Sequence, residues 1–163
     1  PSIMLYKCME WYHPGQWYCY VPLVIVVFSA LRLAKFNVDE RQSENFIGLA
    51  TPACAMICGS FATISHLDII NVARPITENP WIIPVASVIL SLLLVSEIPM
   101  FSMKFKKGAD PILKWRRFTF LGISAATLIF ILALRQHFAH AIFIIFTIYV
   151  VMNIIHSLLT KKK

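Results

Sequence analysis

Apolar residues in this chain come in long unbroken blocks. They follow neither the two-residue alternation of a half-buried strand nor the narrow stripe of a soluble amphipathic helix. Five blocks stand out, at residues 20–36, 50–66, 81–103, 118–135 and 140–158. Each is of the size that crosses a hydrocarbon core as helix, which takes roughly 17–25 residues. Ten-residue alternating segments of the barrel type are absent. Helices are then the spanning form, because lipid offers no water to satisfy an open backbone. The chain opens on Pro1 rather than Met, and its first apolar run is too short to span. Residues 1–9 read as the tail of a helix whose beginning is missing. The expected fold is all-α: a polytopic transmembrane helical bundle of about five complete spans plus the end of one more.

Composition agrees with that pattern. A hydrophobic fraction of 58% and a mean hydropathy of +0.71 lie above those of ordinary soluble domains. The net charge of +7 is explained by topology. Twelve of the fifteen Lys and Arg fall in alternate connections: Arg32, Lys35 and Arg41; Lys104, Lys106, Lys107, Lys114, Arg116 and Arg117; and Lys161 to Lys163. Only Lys7, Arg74 and Arg135 lie elsewhere. The positive-inside rule makes the rich connections cytoplasmic, with an outside start. Cations spread over one membrane face in this way argue against a nucleic-acid partner. Trp11, Tyr12, Trp17, Tyr18 and Tyr20 suit an outer interfacial belt, with a turn at Pro14-Gly15.

The chemistry concentrates after the first span. Arg32 and Lys35 are three residues apart and share a helix face. Snorkelling to lipid phosphates accounts for them as well as a bound anion does. The next span changes the balance, because Thr51-Pro52 reads as an N-cap and first helical residue. A helix starting there presents free backbone N–H groups and the positive end of its dipole on the same membrane face. Arg32, Lys35 and that helix start could frame one anion site. Asn37 is a further hydrogen-bonding candidate, or simply a helix C-terminal residue. Glu97, near the cytoplasmic end of the third block, is a possible intramembrane partner for Arg32 or Lys35, or a carboxylate snorkelling towards Lys104 and Lys106. Cys54 and Cys58 lie one turn apart, while Cys8 and Cys19 flank an outer loop and read as free thiols. His66, Asp68, His137 and His140 sit at loop edges without zinc spacing.

The run Ala30-Leu31-Arg32-Leu33-Ala34-Lys35-Phe36-Asn37, then Phe46-Ile47-Gly48-Leu49-Ala50-Thr51-Pro52-Ala53, with Glu97-Ile98-Pro99-Met100-Phe101 further on, resembles the type I bacterial phosphatidylserine synthases. These belong to the CDP-alcohol phosphatidyltransferase family, and the likeness extends over the whole chain. Ala50 departs from the Pro usual in that subfamily. Lys35 stands where many members carry Arg, keeping the charge but losing the planar fork. The resemblance implies that residues 1–163 are the C-terminal part of a single phosphatidyltransferase-like membrane domain. The intact enzyme would move a phosphatidyl group from CDP-diacylglycerol to L-serine, releasing CMP. It would be a multi-pass protein of the bacterial cytoplasmic (inner) membrane, its site facing the cytoplasm, and a homodimer. A divalent metal ion, Mg or Mn, would be held by the aspartates of D-G-x2-A-R-x8-G-x3-D-x3-D. This sequence has only Asp39, Asp68 and Asp110, with no Asp-Gly pair. Neither catalytic nor metal-binding residues are therefore expected in this chain, which taken alone should be inactive.

What remains for these residues is the substrate wall: Arg32 and Lys35 on a phosphate or the serine carboxylate, Asn37 and Thr51 as hydrogen-bonding groups. Arg32 is accordingly expected to matter more to activity than Arg117. Two alternatives stay open. One is a related transferase using glycerol phosphate or inositol phosphate, which would call for more cations. The other is a transporter or non-catalytic membrane scaffold, compatible with Pro-interrupted spans and Glu97.

Overall fold

The computed structural model describes residues 1–38, 46–67, 74–101 and 111–160. The polar loop from Asp39 to Glu44, Asp68, Lys104, Lys106, Lys107, Asp110 and Lys161 to Lys163 lie outside the described residues.

Helix α1 (Ser2–Tyr12) runs into a turn where Gly15 has φ +74°, a left-handed backbone that glycine adopts without a Cβ penalty. A 3-10 segment (Trp17–Leu23) follows and contains Pro22, which cannot donate to a helical ladder. The α-helix proper begins after it, as α2 (Val24–Val38). Strand β1 (Phe46–Ile47) leads into α3 (Thr51–Leu67), the short α4 (Arg74–Thr77) and α5 (Ile82–Val95). Strand β2 (Pro99–Met100), α6 (Pro111–Ala133) and α7 (Phe138–Thr160) complete the order.

Among the described residues the structure is all-α apart from one two-stranded ribbon. Three helical stretches among the described residues are long and apolar enough to cross a membrane: Trp17–Val38, Trp115–Ala133 and Phe138–Leu159. The second and third expected blocks give shorter helices. At 1.5 Å per residue, α3 with 17 residues is about 25 Å long and α5 with 14 is about 21 Å. Both fall short of a core of about 30 Å. In particular, the block at 81–103 is helical only to Val95. Ser96 turns extended (φ −63°, ψ 160°), its hydroxyl donating to the Leu93 carbonyl. Pro99 biases Ile98 away from the helical region, so the chain leaves as strand.

Helix α3 packs against α7 and α1, α2 against α5, and α6 against α7. The core holds Met9, Ile25, Cys54, Cys58, Leu94 and Tyr149 among others. All four cysteines are free. Helix α6 leaves Leu128, Ile129, Phe130 and Leu132 exposed. That face is too apolar for water and suits lipid.

The two ends of the bundle differ. At one, Trp17, Tyr18 and Trp81 cluster with ring centroids 6.0–6.3 Å apart, Trp17 edge-on to both others, and the Tyr12 hydroxyl donates to the Ser65 carbonyl. At the other, Arg32, Lys35 and Arg116 gather where α2 and α5 end and α6 begins.

Candidate functional site

The cationic end is organised by the ribbon. Strands β1 and β2 pair antiparallel, Phe46 opposite Met100 and Ile47 opposite Pro99. The pairing continues as the Gly48 N–H donates to the Ile98 carbonyl at 2.9 Å and the Leu49 N–H to the Leu93 carbonyl at 2.8 Å. Gly48 is required here on two counts. Its φ is +79°, and an added Cβ would lie 2.7 Å from the carbonyl oxygens of both Leu94 and Ser96. Two of the sequence stretches singled out separately, 46–53 and 97–101, are thus partners in space.

The ribbon delivers the chain to the start of α3. The Ala50 carbonyl accepts from the Cys54 N–H, which makes Ala50 the residue that closes the first turn. Thr51 is then the first helical residue rather than the cap expected from sequence, a shift of one position. One residue earlier, the Leu49 carbonyl accepts from Arg32 Nε at 3.4 Å.

Beside that contact is a cavity of about 770 Å³ between the end of α2, the start of α3 and the facing sides of α6 and α7. Arg32, Thr51, Phe101, Phe120, Phe146 and Tyr149 are among its walls. Arg32 is the one cation among the described lining residues, and it is only 4% exposed. Its guanidinium carbon lies 5.5 Å from the centre of the Phe36 ring. The local chemistry is therefore a cation held in low dielectric at one side of an oily space, next to the positive end of a 17-residue helix.

The other expected site residues sit differently. Lys35 lines no part of that cavity; it turns to α5, donating to the Val95 carbonyl at 3.2 Å and lying 3.7 Å from a Glu97 carboxylate oxygen. Lys35 is thus a partner of Glu97; Lys104 and Lys106, also considered, lie outside the described residues. The pair is partly solvated, with Glu97 75% exposed, and such ion pairs contribute about 0–1 kcal/mol. Asn37 is exposed at the end of α2 and is not part of the cavity wall, whereas Thr51 is. Arg117, the intended comparison for Arg32, is 3% exposed.

Sequence reasoning missed the opposite wall. Phe101, Phe120 and Tyr149 form an aromatic triangle with centroids 5.1–5.7 Å apart. The Tyr149 hydroxyl donates to the Phe101 carbonyl at 3.0 Å, and the Phe101 N–H donates to Asn153 Oδ1 at 3.0 Å. Arg116 Nη2 also donates to that oxygen at 3.2 Å, its guanidinium lying 5.1 Å from the Phe101 ring centre. The available signal was Asn153 itself, an amide inside an otherwise apolar run, because such residues are costly in lipid and usually have a task.

No family model, curated protein or solved structure matches this chain. The site therefore has to be read from its own geometry. Among the described residues no three His, Cys, Asp or Glu side chains come together to hold a metal ion. The aspartate motif that the resemblance implies for a divalent metal has no counterpart in this sequence.

Proposed function

We propose that this chain forms the lipid-binding wall of a phosphatidyltransferase of the inner bacterial membrane, acting on CDP-diacylglycerol with L-serine as acceptor. The observation that carries it is Arg32: a buried guanidinium on the wall of an otherwise oily cavity, beside the start of α3. A liponucleotide has that two-part chemistry, with an anionic phosphate joined to acyl chains.

In this proposal Arg32 binds a substrate phosphate from a fixed position, since its Nε–H already bonds the Leu49 carbonyl. The first-turn N–H groups of α3 and the Thr51 hydroxyl donate to the same oxygens. Phe101, Phe120 and Phe146 take the chains and keep water from the phosphate. Lys35, turned towards Glu97, contributes positive potential at the cytoplasmic side rather than a direct contact. Asn37, at the exposed end of α2, is placed for a polar acceptor such as serine. Helices α3 and α5 complete five spans, α5 with the help of the ribbon. A second copy of the chain forms the dimer.

The test is CMP release by the native protein that carries this chain, in mixed micelles of CDP-diacylglycerol with serine, glycerol phosphate or inositol phosphate. Serine-dependent release is expected. Arg32→Ala should lower it roughly 10- to 100-fold, the loss of about 1.5–3 kcal/mol of charge-assisted hydrogen bonding. Lys7→Gln, at an exposed position in α1, should stay within about twofold and is a better comparison than the buried Arg117. Release with another acceptor alone would reassign the substrate. No release with any acceptor would leave the transporter or scaffold alternative.

A further inference from the structure

Asn153 is 0% exposed on α7, a helix otherwise built from aliphatic and aromatic residues over most of its length. An amide in such surroundings is retained when its polar atoms find partners, and here both its oxygen and its nitrogen have them. Its Oδ1 accepts from the Phe101 N–H at 3.0 Å and from Arg116 Nη2 at 3.2 Å, and its Nδ2 donates to the Tyr149 carbonyl at 2.7 Å. Tyr149, one turn earlier, donates its hydroxyl to the Phe101 carbonyl at 3.0 Å. Two side chains of α7 therefore grip both backbone polar groups of one residue. A helix–helix contact alone would not need that. The gripped residue is the one that directly follows β2.

From Phe101 the connection to Arg32 is continuous and made of backbone. Strand β2 fixes the register of β1, Gly48 and Leu49 bond to Ile98 and Leu93, and the Leu49 carbonyl holds Arg32 Nε. Because a one-residue slip of the ribbon would carry Leu49 away from α2, the anchor on Phe101 sets where the guanidinium stands. Asn153 is not part of the cavity wall, so it acts on a ligand only through the residues it holds: the wall residues Phe101 and Tyr149 and, by way of the ribbon, Arg32.

We propose that Asn153 is a positioning residue: by clamping Phe101 it holds the β1–β2 ribbon in register and so aims Arg32 at an anionic head group in the cavity. The proposal rests on the anion-binding assignment of Arg32 made above.

The experiment is titration of the detergent-solubilised native protein with short-chain phosphatidic acid, and with phosphatidylcholine of the same chains as the uncharged comparison. Wild type, Arg32→Ala, Asn153→Ala and the double variant are compared, with thermal unfolding of each measured alongside. Arg32→Ala should weaken phosphatidic acid at least tenfold and phosphatidylcholine little. Asn153→Ala should weaken phosphatidic acid at least fivefold, although it touches no lipid. The double variant should lose little beyond Arg32→Ala, because both changes remove one interaction. If Arg32→Ala weakens the anionic lipid while Asn153→Ala lowers only the unfolding temperature, the positioning role is overturned and the anion site stands. If Arg32→Ala changes nothing, the anion site and the role of Asn153 both fall. Should Asn153→Ala not fold, Asn153→Ser takes its place, since the shorter polar side chain loses its reach to the Phe101 N–H at a position outside the cavity wall; the same two results decide.

Discussion

At the scale of single residues, backbone geometry matters here as much as charge. Gly48 combines a left-handed φ with carbonyl oxygens on both sides of the missing side chain. Gly48→Ala should therefore cost about 2 kcal/mol or more, from the strained φ together with displacement of the Leu94 and Ser96 carbonyls. Thermal unfolding of purified protein checks it; a change below about 0.5 kcal/mol would mean that the ribbon shifts freely. Gly15 provides the contrast: its φ is similar, but nothing lies within 4 Å of its would-be Cβ, so the same substitution there loses only the conformational part. Arg32 and Lys35 show how far spacing can be trusted. Three residues apart on one helix, they nevertheless part company: Arg32 reaches Leu49 and the cavity, while Lys35 reaches Val95 and Glu97. A shared helix face places two Cβ atoms side by side. It does not decide where four further bonds of a flexible side chain lead.

At the scale of elements, helices α6 and α7 were legible because 23 residues each of mainly apolar sequence leave few other options. The start of α3 was legible to within one residue from Thr51-Pro52. The ribbon was not. Two residues per strand carry no alternation to detect, and their pairing joins positions more than fifty apart in sequence. The early end of α5 was hidden for a related reason. Ile98, Met100 and Phe101 are as apolar as the helix before them, so hydropathy runs on while Ser96 and Pro99 stop the ladder. The aromatic wall was hidden because Phe120 and Tyr149 are the residues a lipid-facing helix would carry anyway. Helix α6 yields its own prediction. Ile129 is 69% exposed on the face away from α7. In a soluble protein Ile129→Asp would be nearly neutral, whereas near the end of a lipid-facing helix it should cost part of the roughly 2.5–3.5 kcal/mol of insertion energy that a charge costs at a helix centre. A glycosylation-reporter insertion assay distinguishes the two; unchanged insertion would mean that this face does not meet lipid.

At the scale of the whole molecule, the polar and aromatic ends give the bundle a direction. The clustered Trp17, Tyr18 and Trp81 mark one interface, and Arg32, Lys35 and Arg116 the other. With the native cysteines removed, a cysteine at Arg135 should react with a membrane-impermeant maleimide on intact cells. One at Asn37 should react only after permeabilisation. The opposite labelling would invert the orientation and place the cavity on the outer side.

The short helix α5 has a consequence for the lipid around it. With about 21 Å of helix against a hydrocarbon layer of about 30 Å, α5 as the span proposed above would fall short by roughly 9 Å. A bilayer meets such a mismatch by thinning locally, at a fraction of a kcal/mol per ångström. In the five-span arrangement proposed above, the leaflet beside the ribbon would be drawn inward and its phosphates brought nearer the depth of Arg32.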